Sequence, residues 1–379
     1  MVRSSIQWLV LYCLLVAATA ARAAREEPSR LRDTEDGQFD MSDVLLSHRG
    51  VLPVPNIITE PAIGYGLGLG LLYFTAPKHE DGNSDPASEG RELSPPNITG
   101  VGAFGTGTHS WGVGVAHFHT WMDDHIRYFG ALGRVNLHLN WYGPQGNANA
   151  YQLSGVALVQ QVLFKLGGSP WYIGPRYTFF DTTTRFGPVI PSGINHYERD
   201  VKVGKAGVVV DYDTRDNIFF PSKGTYAEFE ADFARGGFGS DDAFEMQTAR
   251  GYHWMPVSDK WVLGLRADTG FSQGDIPFFV QPYVNLRGIS QAKYQDRNQL
   301  TGEVELRYNI TPRWSVLGFG GLGKAYGNVH SFSDAPTAFA FGAGFRYLIA
   351  RKLGISMGID VAHGPGQNAF YVQVGSAWR

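Results

Sequence analysis

Residues 129–141 alternate. Phe129, Ala131, Val135, Leu137, Leu139 and Trp141 share one parity, and Arg134, Asn136, His138 and Asn140 share the other. A period of two puts these sets on opposite faces of a strand. The division recurs along the chain. Ala227, Phe229, Ala231 and Phe233 oppose Tyr226, Glu228, Glu230 and Asp232. Trp261, Leu263, Leu265 and Ala267 oppose Arg266 and Asp268, and Val304, Leu306, Tyr308 and Ile310 oppose Glu303, Glu305, Arg307 and Asn309. A soluble sandwich turns its apolar faces inward. A membrane barrel turns them toward lipid and lines its lumen with the polar ones.

Composition favours the barrel. The chain has 48 glycines, 13% aromatics and only 18% charged residues, against a usual charged share of about 25%. Beyond the amino terminus no apolar run approaches the ~20 residues of a membrane-spanning helix. Trp111, Trp121, Trp141, Trp171, Trp261, Trp314 and Trp378 stand near segment ends, where interfacial girdles belong. The expected fold is therefore all-β, a transmembrane antiparallel β-barrel. A net charge of −3 singles out no partner, and no basic stripe supports nucleic-acid binding.

Counting segments gives strands near 51–59, 67–75, 97–107, 111–121, 126–140, 149–166, 171–183 and 200–213. Others follow near 224–235, 243–256, 260–271, 297–309, 313–323, 336–348, 353–363 and 369–378. That is about 16, an even number as single-chain outer-membrane barrels have. Short connections (Asp123-Asp124, then 167–170, 257–260, 311–313 and 350–352) alternate with longer ones at 184–199, 272–296 and 324–335. Short periplasmic turns and longer external loops are the expected asymmetry. Residues 76–96 break the rhythm, because parity puts this long Pro-, Ser- and Gly-rich stretch in the periplasm.

The amino terminus reads as a signal peptide over 1–23. Arg3 provides the positive end, Trp8 to Val16 the apolar stretch, and Ala18-Thr19-Ala20 or Ala21-Arg22-Ala23 the cleavage site. Residues 24–50 then form a short periplasmic arm and 51–379 the barrel. The single cysteine, Cys13, lies inside the removed segment. Disulfides, thiolate nucleophiles and Cys-ligated metals are thereby excluded from the mature chain.

Two stretches narrow the family. In Asp213-Thr214-Arg215-Asp216-Asn217 and Phe220-Pro221-Ser222-Lys223-Gly224-Thr225-Tyr226, Pro221 and Gly224 punctuate a turn. Asp213 and Asn217 are placed to bond neighbouring backbone there. In Leu286-Arg287-Gly288-Ile289 a cation sits on a glycine tip, shortly before the acid-faced segment Gly302 to Tyr308. A loop folding back to plant Arg287 against carboxylates inside the barrel is the natural reading.

The first stretch resembles the strand–turn–strand block of the bacterial surface-antigen barrels, the superfamily of BamA, TamA and the two-partner secretion transporters. The second resembles that family's V-R-G-F/Y motif on the sixth external loop, and the strand count puts it between strands eleven and twelve, where the family has it. Pro53-Val54-Pro55 through Gly64-Tyr65-Gly66-Leu67-Gly68 resembles the opening hairpin of short members, so the resemblance covers 51–379. It implies Arg287 and Gly288 as a structural loop lock, with Glu305 as the strand-twelve partner and Glu303 on the same face. The family's strand-thirteen F-x-D-x-G falls on Phe319-Gly320-Gly321-Leu322-Gly323, where Gly321 replaces the aspartate. The lock is then either weaker or closed by Glu303. Asp213, Arg215, Asp216, Asn217, Pro221 and Gly224 carry over as the turn motif. The final segment, Phe370 to Trp378, resembles the terminal strand that marks barrel proteins for assembly, although Arg379 follows the aromatic and an ordinary last strand fits as well.

The resemblance implies an integral protein of a Gram-negative outer membrane. Its partners are membrane lipid, lipopolysaccharide included, and the barrel-assembly machinery during biogenesis; client proteins or lipids stay unidentified. Roughly 25 to 30 residues between signal peptide and first strand are too few for one periplasmic POTRA module. Fold therefore carries over better than function. Arg287 with its acids reads as a mechanistic lock or as a satisfied lumen contact. Glu228, Glu230 and Asp232 read as a cation-attracting lining or as charges that solvate the interior. His117 and His119 share a face without a third ligand in the sequence, and His138 reads as a lone lumen residue. No positioned Ser/His or Asp/His group specifies an enzyme, and no motif specifies a cofactor or metal. Two functions follow: insertion or translocation of proteins or lipids through a weak seam between first and last strands, suited by the glycine-rich hairpin Gly64 to Gly70, or a structural barrel, pore or surface antigen without such activity.

Overall fold

The computed structural model describes residues 31–46, 51–59, 62–75, 96–142, 147–187 and 198–378. The expected signal peptide over 1–23, the start of the arm and most of the 76–96 excursion lie outside the described residues. The strands are β1 (Val51–Ile58), β2 (Gly66–Thr75), β3 (Asn97–Thr106), β4 (Trp111–Trp121), β5 (Ile126–Tyr142), β6 (Ala148–Lys165), β7 (Trp171–Phe186) and β8 (Glu198–Asp213). They continue as β9 (Gly224–Ala234), β10 (Phe244–Pro256), β11 (Trp261–Gly274), β12 (Asn298–Asn309), β13 (Trp314–Tyr326), β14 (Ala338–Ala350), β15 (Ile355–Gly364) and β16 (Gln367–Val374). They form one 16-stranded sheet in which each strand pairs with its neighbours in sequence. The pairs are antiparallel, as hairpin connections require.

Parity sets the two surfaces. Along β12 and β13, Val304, Leu306, Val316 and Leu322 point outward and are exposed, while Glu303, Arg307 and Ser315 are buried on the lumen side. Valine and leucine outside with charge inside inverts the soluble-protein rule and is the expected state of a wall bathed in lipid. Trp111, Trp121, Trp171, Trp261 and Trp314 are exposed on the outer surface near strand ends, in keeping with a girdle. Among the described residues no helix is long and apolar enough to cross a membrane.

The most regular run inverts the expected sense. Phe129 to Trp141 of β5 face the lumen, and Arg134, Asn136, His138 and Asn140 face out. The register fixes this, because Phe129 shares a parity with Arg127, which bonds Asp213 inside the barrel. The apolar face is covered by the loop after β11. Phe278 of that loop packs on Trp141, Tyr151 and Phe186 at ring separations of 6.2, 5.2 and 5.6 Å. Outward polar residues are tolerated because β5 to β8 hold 17, 18, 16 and 16 residues, against the about 9–11 that span a bilayer. Their upper ends therefore stand clear of the hydrocarbon. Trp141 accordingly leaves the girdle, and His138 is an outward residue rather than a lumen one. His117 and His119 also lie on the outer face of β4, with ring centroids 5.5 Å apart.

The last strand ends at Val374, short of the expected 378. Gly375 adopts φ +77°, and the Ser376 N–H turns onto the Phe219 carbonyl. Trp378 ends inside the barrel against Tyr226, Tyr252, Trp254 and Val262, so it too is absent from the girdle.

The described part of the arm docks at the turn end of the barrel. A short helix α1 (Ser42–Leu46) buries Leu45 fully among Leu52, Phe74, Ala350, Leu353 and Ile355. Arg313, in the turn before β13, receives Asp33, Asp36 and Asp40 from the arm and has no exposed side-chain surface.

Candidate functional site: loop lock and seam

Residues 275–297 connect β11 to β12 and fold into the lumen, bringing Arg287 and Gly288 together with Glu303 and Glu305. Gly288 has φ +90°, and a Cβ there would meet Ala362 and the backbone of His363 and Gly364 at 3.1–3.2 Å. Glycine is needed on both counts. Its N–H donates to the Tyr371 hydroxyl, and its carbonyl accepts from the Gln367 amide, both at 2.9 Å on β16. With the backbone so fixed, Arg287 Nε reaches Glu303 at 3.1 Å and Nη2 reaches Glu305 at 2.9 Å. Its guanidinium lies 3.5 Å over the Phe319 ring.

The third carboxylate comes from an unexpected strand. Arg287 Nη1 donates to Asp360 on β15 at 2.7 Å, and Arg346 of β14 bonds the same carboxylate at 2.6 and 2.9 Å. Gly321 explains the displacement: a Cβ at that position would lie 2.6 Å from Leu286 and 2.8 Å from the Gly302 carbonyl. The loop leucine takes the space an aspartate side chain would fill. Glu303 is shared further, accepting from Arg266 at 3.1 Å and from the Trp378 indole at 3.0 Å. A buried cation needs such multiple partners to offset its desolvation. The sequence reading missed Asp360, Arg346 and Trp378. A usable signal for Asp360 existed, since it is a lone acid of inward parity between outward Ile359 and Val361.

The turn motif closes the other end. Arg215 and Arg127 both bond the Asp213 carboxylate, at 2.8 and 2.9 Å. Asp216 accepts the Ser222 and Lys223 N–H groups, and Asn217 accepts those of Phe219 and Phe220 while donating to the Leu353 carbonyl. Gly224 has φ +103°, and a Cβ would lie 2.1 Å from the Thr214 carbonyl. Arg307 bonds the Pro221 carbonyl at 2.9 Å and lies 4.0 Å over the Phe220 ring. The motif is thus a plug drawn into the turn end of the lumen. Higher up, Glu228, Glu230 and Asp232 do face the lumen, where Arg250, Arg176 and Lys205 pair with them.

The seam between first and last strands is the weak line of the wall. β1 and β16 approach each other, yet the sheet order ends on both without a ladder joining them. Across the gap the Thr59 hydroxyl donates to the Phe370 carbonyl and accepts the Phe370 N–H at 2.9 Å. The β1–β2 ladder, by contrast, is continuous from Val51↔Tyr73 to Ile58↔Gly66, glycines included. Pro53 and Pro55 share one parity, which leaves the donors of that ladder to Leu52, Val54, Asn56 and Ile58. The proline nitrogens therefore lie along the β16 edge, where two backbone donors are missing. Weakness resides on the outer edge of β1 and not in the glycine-rich strand.

These features define the fold: a sixteen-stranded antiparallel β-barrel with an arginine loop inside it and no ladder joining its first and last strands. Residues 204–378 match the Omp85 superfamily domain. Solved structures agree in fold. BamA from Haemophilus ducreyi lacking POTRA domains 1–3 matches with a TM-score of 0.54 and 12% identity over 86% of this chain and 70% of that one. CdiB from Acinetobacter baumannii gives 0.55 and 10% over 85% of this chain, and CdiB from Escherichia coli gives 0.56 and 10% over 85%. The chain spans 59% and 61% of those two proteins, respectively. No curated protein matches it in sequence.

Proposed function

We propose that this chain is an integral protein of a Gram-negative outer membrane that assists insertion or translocation of proteins or lipids by parting its β1–β16 seam. One observation carries the reading: the edge of β1 facing β16 lacks two donors at Pro53 and Pro55, and the Thr59 hydroxyl bridges the gap. Every other strand pair in the sheet has a backbone ladder. A wall with one unlaced line opens there first. Arg287 serves as the lock that keeps β12, β15 and the β16 side of the seam in fixed relation while the β1 side moves.

In this reading residues 1–23 direct export and are removed, 24–50 lie in the periplasm, and the barrel-assembly machinery inserts 51–379 among membrane lipids that include lipopolysaccharide. A conducting pore is less well supported. The loop over 275–297, the β8–β9 turn and the Trp378 tail occupy the lumen and leave a cavity of about 760 Å³ among charged side chains. The test is photo-crosslinking from Ile57 and Val372, on either side of the seam, in cells making outer-membrane proteins. Adducts with nascent barrel proteins or with lipid support the proposal. Conductance in planar bilayers with no adducts at the seam overturns it in favour of a pore.

A further inference from the structure

The arm is more than a linker to β1. Its polar side is fastened to the β12–β15 region. Arg313 holds Asp33, Asp36 and Asp40, Arg351 holds Asp33 and Glu35, and Lys352 holds Asp43. Backbone bonds reinforce this: Met41 N–H to Ile349 O at 2.7 Å, Arg351 N–H to Asp40 at 2.9 Å and Lys352 N–H to Ser42 Oγ at 3.0 Å. Its apolar side packs on the other flank. Leu45 is fully buried with Leu52 of β1 and Phe74 of β2 as well as Ala350 and Ile355, and Val374 of β16 borders the same cluster. β1 begins five residues after the helix ends, at Val51. One segment is therefore tied to β1 and β2 on one side of the seam and to the β14–β15 turn on the other, passing the end of β16.

We propose that residues 31–46 are a strap that holds the β1–β16 seam shut from its turn end, so that the seam parts only when the acidic arm releases Arg313 and Arg351. The strap rests on the reading of the seam as the working part of the barrel. Mechanically, β1 cannot swing from β16 while Leu45 stays in a cluster built from both flanks. Hydrophobic contact alone is not directional, and the ion pairs supply the fixed anchor. Arg313, with no exposed side chain, is the anchor point.

The test needs no client. Spin labels at Ile57→Cys and Val372→Cys, in a chain with Cys13 replaced, report the seam in bilayer nanodiscs. Asp33→Asn/Asp36→Asn/Asp40→Asn should raise the population of separated labels about tenfold, with protease trimming showing the arm free. In that same background, oxidation of a Ser42→Cys/Lys352→Cys pair should restore the narrow distribution, and reduction should widen it again. An arm freed to protease with the label distribution unchanged overturns the strap. So does a distribution that ignores the cysteine bond. A seam that widens while crosslinking to clients stays absent overturns the functional reading and leaves the strap standing.

Discussion

Arg287 and Asp360 form a buried ion pair at 2.7 Å, joining the tip of the internal loop to β15, three strands beyond the glutamates of β12. The loop is consequently held across β12 to β15 and not against one hairpin. Asp360 also pairs with Arg346, so this carboxylate is shared between two buried guanidinium groups. Removing one partner of such a group strands the others.

Asp360→Asn should therefore destabilise the barrel by about 3–5 kcal/mol, more than loss of Glu305, whose place beside Arg287 is shared by Glu303. Unfolding in urea from detergent micelles measures the difference. Arg287→Ala should be destabilising as well, because it leaves Glu305 buried without its cation, although Glu303 and Asp360 keep Arg266 and Arg346.

Gly321→Asp restores the carboxylate of the resembled F-x-D-x-G motif, yet it should weaken the barrel. Its Cβ would overlap Leu286. Gly321→Asp/Leu286→Ala should recover folding yield relative to Gly321→Asp alone. Equal yields for the two would show that space is not the reason glycine stands there.

Pro53→Val/Pro55→Val returns two backbone donors to the β16 edge. Each hydrogen bond made adds about 0.5–1.5 kcal/mol, so the seam should tighten, thermal stability should rise, and any insertion activity should fall. Thr59→Val should act in the opposite direction on the seam by removing its bridging hydroxyl. Separation of labels at Ile57 and Val372 reads both.

The arm should respond to acid. The Arg351 bond and the Glu35 N–H hold the Asp33 carboxyl well below its ordinary range, and Arg313 lowers Asp36. Burial raises Asp40, but Ser42, Arg313 and the Arg351 N–H outweigh it, and its value is lowered too. The facing charges are Arg313, Arg351, Lys352 and Glu35, with Tyr347 on the β14 side. Depressed folded values mean that docking is favoured fully above the unfolded range near pH 4 and is lost as pH falls through the lowered values. Protease sensitivity of residues 31–46 should stay flat from pH 8 to about pH 5 and rise below about pH 4. Release near neutral pH would contradict the assignment of these carboxylates.

Gly224→Ala should cost at least about 1–2 kcal/mol, because the residue combines φ +103° with contact to the Thr214 carbonyl. A larger cost than that of Ala at exposed Gly236, where a Cβ would meet nothing, is the expected comparison.

The number and order of strands were legible because turns and alternation are local. Glu303 and Arg287 were legible through motif and parity. Asp360 was hidden because it lies 73 residues from Arg287 and no local pattern links them. Alternation in β5 defined two faces without saying which held lipid; contacts distant in sequence, Arg127 with Asp213 and Trp141 with Phe278, decide it. The tail misled because its alternation runs on past Gly375, whose positive φ ends the strand. The sequence showed only a short periplasmic arm, because nothing local links its aspartates to Arg313, which lies 273 to 280 positions from Asp40 and Asp33.

The tail also imposes an order in time. Trp378 rests on Tyr252, Trp254 and Val262 of β10 and β11 and donates to Glu303 of β12, so its pocket exists only once those strands have curled into a wall. The chain's last aromatic is thus seated by elements that precede it by scores of residues, and its arrival marks the completed circle. Fluorescence of Trp378, isolated against Phe at the other tryptophans, should change in the slowest phase of refolding and lag behind the formation of strand structure.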